Sequence, residues 1–165
     1  MYNRGEQVLY GSHGVCLIID IEVKSVDRKE ITYYVLEPLE QPGSRYYIPI
    51  HNKTAVTKLS RLLSSEELQA LLVSVKNSDC GWILDEGKRK QHYRELINSG
   101  DRAALLGMIR ALYRHKQEQI EAGRKFHLCD ENFLHDAEKL LREEFSLVLE
   151  IPKEQVGNYI AERLR

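Results

Sequence analysis

The sequence predicts an α+β protein: a small antiparallel β domain over residues 1–60, then an all-helical domain over residues 61–165. Three observations predict it. Apolar residues near the N-terminus recur with period two, the period becomes helical after Leu62-Leu63, and turn or cap residues punctuate the chain throughout.

The strands come first. Val15, Leu17, Ile19, Ile21 and Val23 alternate with Cys16, Ile18, Asp20, Glu22 and Lys24, the pattern of a strand with one buried side, here the odd-numbered set. Glu6 to Tyr10 precedes it across the Gly11-Ser12-His13-Gly14 turn, and Ile31 to Leu36 follows the polar connection Asp27-Arg28-Lys29-Glu30. Gln41-Pro42-Gly43 supplies a turn before a fourth strand, Arg45 to Ile50, and a fifth is expected near Val56 to Leu59. About five short strands in sixty residues, with no helix among them, predict a strongly bent sheet or small open barrel of the Tudor or SH3-like kind.

About five helices follow. Ser64 stands three residues ahead of Glu67, a capping-box start for a helix through Val75. A break at residues 77–81 precedes a helix from Asp85 to Asn98, ended by Gly100. Asp101 caps the next, whose stripe is Leu105, Met108, Ile109, Leu112 and Ile120, and Gly123 ends it. Asp130 is read as the cap of a fourth helix with Phe133, Leu134, Ala137, Leu140, Leu141, Phe145 and Val148 facing inward. Pro152 opens a fifth, with Val156, Ile160 and Leu164 on its inner side.

Composition narrows the function. No apolar run approaches the ~18 residues of a membrane span. The three cysteines are widely spaced, which gives neither a disulfide framework nor a CxxC metal pair. A cytoplasmic protein with reduced thiols is expected. The net charge of −1 conceals a split: residues 80–125 carry ten Lys/Arg and six Asp/Glu, and residues 126–165 carry five and nine. Such a basic block fits either a polyanion partner or two complementary helix faces in contact. Nucleotide-loop, serine-hydrolase and zinc-protease motifs are lacking, and the six histidines lie in different elements. The expectation is a non-enzyme with no cofactor, no metal and no small-molecule substrate.

Two segments carry candidate binding residues. Trp82, the sole tryptophan, lies shortly before Lys88, Arg89 and Lys90, with Arg110 and Arg114 available to extend the basic surface. A flat apolar ring beside cations is what a minor-groove wedge requires; the same ring could instead pin a helix to its bundle. Arg114 could equally pair with Glu118. In the β domain, Tyr46-Tyr47-Ile48-Pro49 contains a proline that cannot donate to a central ladder, which places it at an edge. Aromatic edge strands can accept a partner's strand, or can simply shield the β core.

Taken in order, these segments resemble the CarD family of bacterial RNA polymerase-binding transcription regulators. The resemblance rests on Gly5-Glu6-Gln7-Val8-Leu9-Tyr10 with His13-Gly14-Val15, then Tyr33-Tyr34-Val35-Leu36, Tyr47-Ile48-Pro49-Ile50, Trp82, Ser99-Gly100-Asp101 and Ile109-Arg110-Ala111-Leu112-Tyr113-Arg114. The β part also resembles the polymerase-binding domain of transcription-repair coupling factors, although no helicase motifs follow it. The resemblance implies that the β domain binds the polymerase β subunit through Lys24, Tyr46, Tyr47, Ile48 and Pro49. It further implies that Trp82, with Lys88, Arg89 and Lys90, contacts promoter DNA at the upstream fork of the bubble and stabilises the open complex; Arg110 and Arg114 are the residues expected to extend that DNA-binding surface. The alternative is a protein–protein module without DNA contact. Two departures stand out: Ile83-Leu84-Asp85-Glu86 separate the tryptophan from the basic trio, and Tyr47 replaces an arginine common before the edge proline.

Overall fold

In the computed structural model, which describes residues 1–165, five strands form one antiparallel sheet in the order β4-β3-β2-β1-β5. They are β1 (Gln7–Tyr10), β2 (Val15–Val26), β3 (Lys29–Pro38), β4 (Tyr46–Pro49) and β5 (Leu59–Arg61). The α+β class predicted from the sequence is the observed one. Contacts divide the chain into two compact units, Met1–Leu62 and Leu63–Arg165.

The β2–β3 hairpin is longer than the sequence suggested. Lys29 and Glu30, read as connection, already pair with Val26 and Ser25, so only Asp27 and Arg28 turn the chain. Both take left-handed φ values, 49° and 64°, as a two-residue hairpin matched to strand twist requires. The alternation on β2 also needs correction. Ile18 pairs with Leu36 but Asp20 pairs with Val35, so Ile19 is an inserted residue and the strand changes phase there. Before the bulge Cys16 and Ile18 face the core, whereas Ile21 and Val23 beyond it are 40% and 61% exposed. A strict odd-numbered buried face therefore does not exist. The core comprises Val8, Cys16, Ile18, Tyr34, Leu36, Ile48 and Leu59. The fifth strand lies later than expected, because Asn52 accepts the Ala55 N–H and caps a one-turn helix, α1 (Lys53–Val56).

The helical unit contains α2 (Ser65–Lys76), α3 (Glu86–Ser99), α4 (Arg102–Glu121), α5 (Leu128–Leu149) and α6 (Lys153–Leu164). Ser64 and Glu67 form the expected capping box, and Asp85 and Asp101 accept the N–H groups of Lys88 and Ala104. Gly100 ends α3 with φ 64°. Leu68, Leu72, Leu105, Leu106, Ile109, Leu112, Leu141, Phe145 and Ile160 fill the core. Two expectations fail. Ile120, placed in the inward stripe of α4, is exposed and lines a cleft with Ala161 and Arg165 instead. Asp130 does not cap α5, which begins two residues earlier after His127; its carboxylate is buried inside the first turn on an arginine.

Candidate functional site

Two groups of side chains stand out, one in each unit. In the β unit, β4 pairs only with β3 and so is an edge, as Pro49 requires. The Ile50 N–H donates to the Thr32 carbonyl, so by the alternation of an antiparallel ladder the backbone of Tyr46 and Ile48 faces β3, and that of Tyr47 and Pro49 faces away. Pro49 has no N–H, and its carbonyl accepts from Asn52. Within β4 the open edge thus offers the backbone groups of Tyr47 alone.

Side chains divide the same way. Ile48 is buried, and Tyr46 packs over Tyr10 and His13 at ring distances of 5.4 and 5.0 Å, so both belong to the core side. Tyr47 lies on the opposite face beside Tyr33, 6.2 Å away and nearly perpendicular. The Lys24 ammonium sits 3.6 Å from the Tyr47 ring centroid and 3.8 Å from Glu22. Of the five residues assigned to this edge, the structure gathers Lys24 and Tyr47 into one exposed patch and keeps Tyr46 and Ile48 inside.

In the helical unit, Trp82 precedes α3 and is half-buried. Its ring stacks on His115 of α4 at 3.7 Å, 9° from parallel, and the Arg89 guanidinium carbon lies 4.5 Å over it. Burial holds the His115 imidazole below its ordinary pKa, outweighing the pull of Glu118, 3.8 Å from Nδ1. Stacked ring on ring, His115 and Trp82 form one flat aromatic surface. Arg89 is buried and donates through Nε and Nη2 to the two carboxylate oxygens of Asp130, at 3.0 and 3.1 Å, and through Nη1 to the Ile83 carbonyl at 2.9 Å. A fork of this kind fixes the loop immediately after Trp82.

Residues 2–61 match the CarD-like/TRCF RID domain, and residues 83–161 match the CarD C-terminal domain. The chain belongs to the CarD family. It is accordingly an RNA polymerase-interacting transcription factor, of a family that is not enzymatic. No curated protein matches the chain. No helix is long and apolar enough to cross a membrane, and no group of three or more His, Cys, Asp or Glu side chains is placed to hold a metal.

Within this CarD-family chain the six basic and aromatic candidates separate. Lys88 is exposed on the first turn of α3. Lys90 is half-buried and bonds Glu86 at 2.6 Å, which holds the Glu86 carboxyl below and the Lys90 ammonium above their usual ranges. Arg89 and Arg110 are interior rather than surface groups: Arg110 is 9% exposed and donates to the carbonyls of Val75 and Ser78, closing the C-terminal end of α2. Arg114 is exposed and lines a cleft of about 640 Å³ with Lys116, Ile120 and Arg165, while Glu118 turns to His115 instead. The sequence reading missed His115 and Asp130. The first was legible, because Met108, Leu112 and His115 continue one helical stripe. The second was not, since its partner lies 41 residues away.

Proposed function

We propose that this protein is a cytoplasmic bacterial transcription regulator that binds the β subunit of RNA polymerase through the β4 edge and stabilises the promoter open complex by contacting DNA at the upstream fork of the bubble. One observation carries the DNA half of this reading: a half-buried tryptophan is held by His115 and Arg89 at the entrance to a helix whose first turn presents Lys88. Lys88, Lys90 and Arg114 hold phosphates, and Arg89 and Arg110 act as supports, one aiming the indole and the other fixing the end of α2. No bond is made or broken. A ligand that favours the melted state shifts the closed–open equilibrium by its differential affinity, and ~1.4 kcal/mol changes the ratio tenfold.

Attachment is carried by the outer face of the sheet. Because the β4 backbone leaves only Tyr47 free, an added strand gains few ladder bonds, and the patch of Lys24, Tyr33 and Tyr47 supplies the remaining contact. An exposed tyrosine braced by a cation and a second ring fits the profile of an interface anchor. Tyr47→Asp is expected to weaken binding of the full chain to the isolated polymerase β lobe by about 2 kcal/mol, roughly thirtyfold, without altering its far-UV circular dichroism. Undiminished binding by the variant would place the polymerase contact on another face.

A further inference from the structure

Leu84 has no role in the reading above, yet it is 89% exposed, more than any other large apolar side chain except Met1. Looseness of the loop does not explain this. On one side the Ile83 carbonyl accepts from Arg89 Nη1 at 2.9 Å, and on the other Asp85 caps α3 by accepting the Lys88 N–H at 2.8 Å. Arg89 is itself clamped by Asp130. The backbone around Leu84 is thus anchored on both sides, and its side chain is held out in water. Such an arrangement lowers the ordering cost of any contact that covers the leucine.

Charge decides the kind of partner. Asp85 and Glu86 flank Leu84, but Asp85 is engaged as a cap and Glu86 is bonded to Lys90 at 2.6 Å. Lys88 stays exposed on the first turn of α3. An aliphatic side chain on a fixed tether, four residues ahead of the exposed Lys88, suits an unstacked base step, whose faces are apolar and whose flanks are phosphates. Trp82, two residues away, already has its ring stacked on His115 and is partly buried against the helical core.

We propose that Leu84 is the leading wedge, entering the opened base step while Trp82, backed by His115 and Arg89, supports the displaced base. This rests on the DNA-contact reading and adds the residue that performs the insertion. The test uses the full chain with a forked duplex carrying 2-aminopurine at the junction and with the matching paired duplex, at low salt. The unaltered protein binds the fork more tightly than the duplex and raises 2-aminopurine emission. Leu84→Ala reduces fork binding about tenfold and abolishes the rise, with paired-duplex affinity and Trp82 emission unchanged; Leu84→Met restores both. If Leu84→Ala keeps the fork preference while Trp82→Ala loses it, the tryptophan is the sole wedge and the proposal falls with the DNA reading intact. Equal weakening on fork and duplex would also overturn it, by reducing Leu84 to a general contact. If the unaltered protein shows no fork preference, the DNA reading falls and the proposal with it.

Discussion

Replacing Asp130 with alanine is expected to lower the stability of the helical unit by about 3–5 kcal/mol, because it strands a guanidinium that the fold has already removed from water. The Asp130 side chain is 1% exposed and that of Arg89 7%, so solvent cannot compensate either charge. Removing one partner of a buried pair costs far more than the pair is worth net, and so Arg89→Met combined with Asp130→Leu should recover most of the loss. Urea unfolding followed by far-UV circular dichroism reads both. The single variant should also shift Trp82 emission to the red, since Arg89 then lets go of Ile83 and of the indole. A loss below about 1 kcal/mol would mean that water reaches the pair.

Glu144→Ala is expected to cost a similar amount, about 3–5 kcal/mol, for a related reason. Glu144 is 1% exposed and accepts from Arg102 Nε and Nη2 at 2.7 and 2.6 Å and from the Leu63 N–H at 3.0 Å. Its removal orphans the Leu63 N–H and takes two charge-assisted hydrogen bonds from Arg102, just ahead of the Ser64 cap that starts α2. Amide exchange offers a local measure: protection at Leu63 and in the first turn of α2 should fall further than in α5, where the substitution lies. Glu144→Gln keeps the shape and part of the hydrogen bonding, so its loss should be smaller. If the two variants were equally stable, packing rather than charge would be holding this junction.

Both of these pairs show where the sequence was legible and where it was not. Ser64, Asp85, Gly100 and Asp101 announced helix ends because capping is a local chemistry, settled within three or four residues. Pro49 announced an edge because it lacks a donor. The bulge at Ile19 left no mark, since five odd-numbered apolar residues looked like unbroken alternation and the extra residue shows only against the partner strand. Lys88, Arg89 and Lys90 read as one basic cluster, but successive helical residues point about 100° apart and cannot share a face. Arg89 lies in line with Tyr93, Leu96 and Ile97, the inward stripe of α3, and that spacing held the clue to its burial. Asp130 could not be assigned by such means, because an aspartate near a helix start is a cap in most settings and its partner comes from another helix.

The division of labour between attachment and strand separation is tested most directly by the lifetime of polymerase–promoter open complexes challenged with competitor, in the presence of the unaltered protein or of Trp82→Ala. Because Trp82 also packs against the helical core, far-UV circular dichroism and urea unfolding check that the variant keeps its fold. The variant is expected to bind the isolated β lobe as the parent does yet to lose most of the parent's extension of lifetime, about tenfold for ~1.4 kcal/mol of lost preference for the melted state. A variant that binds the lobe normally and prolongs the open complex as fully as the parent would contradict that division of labour.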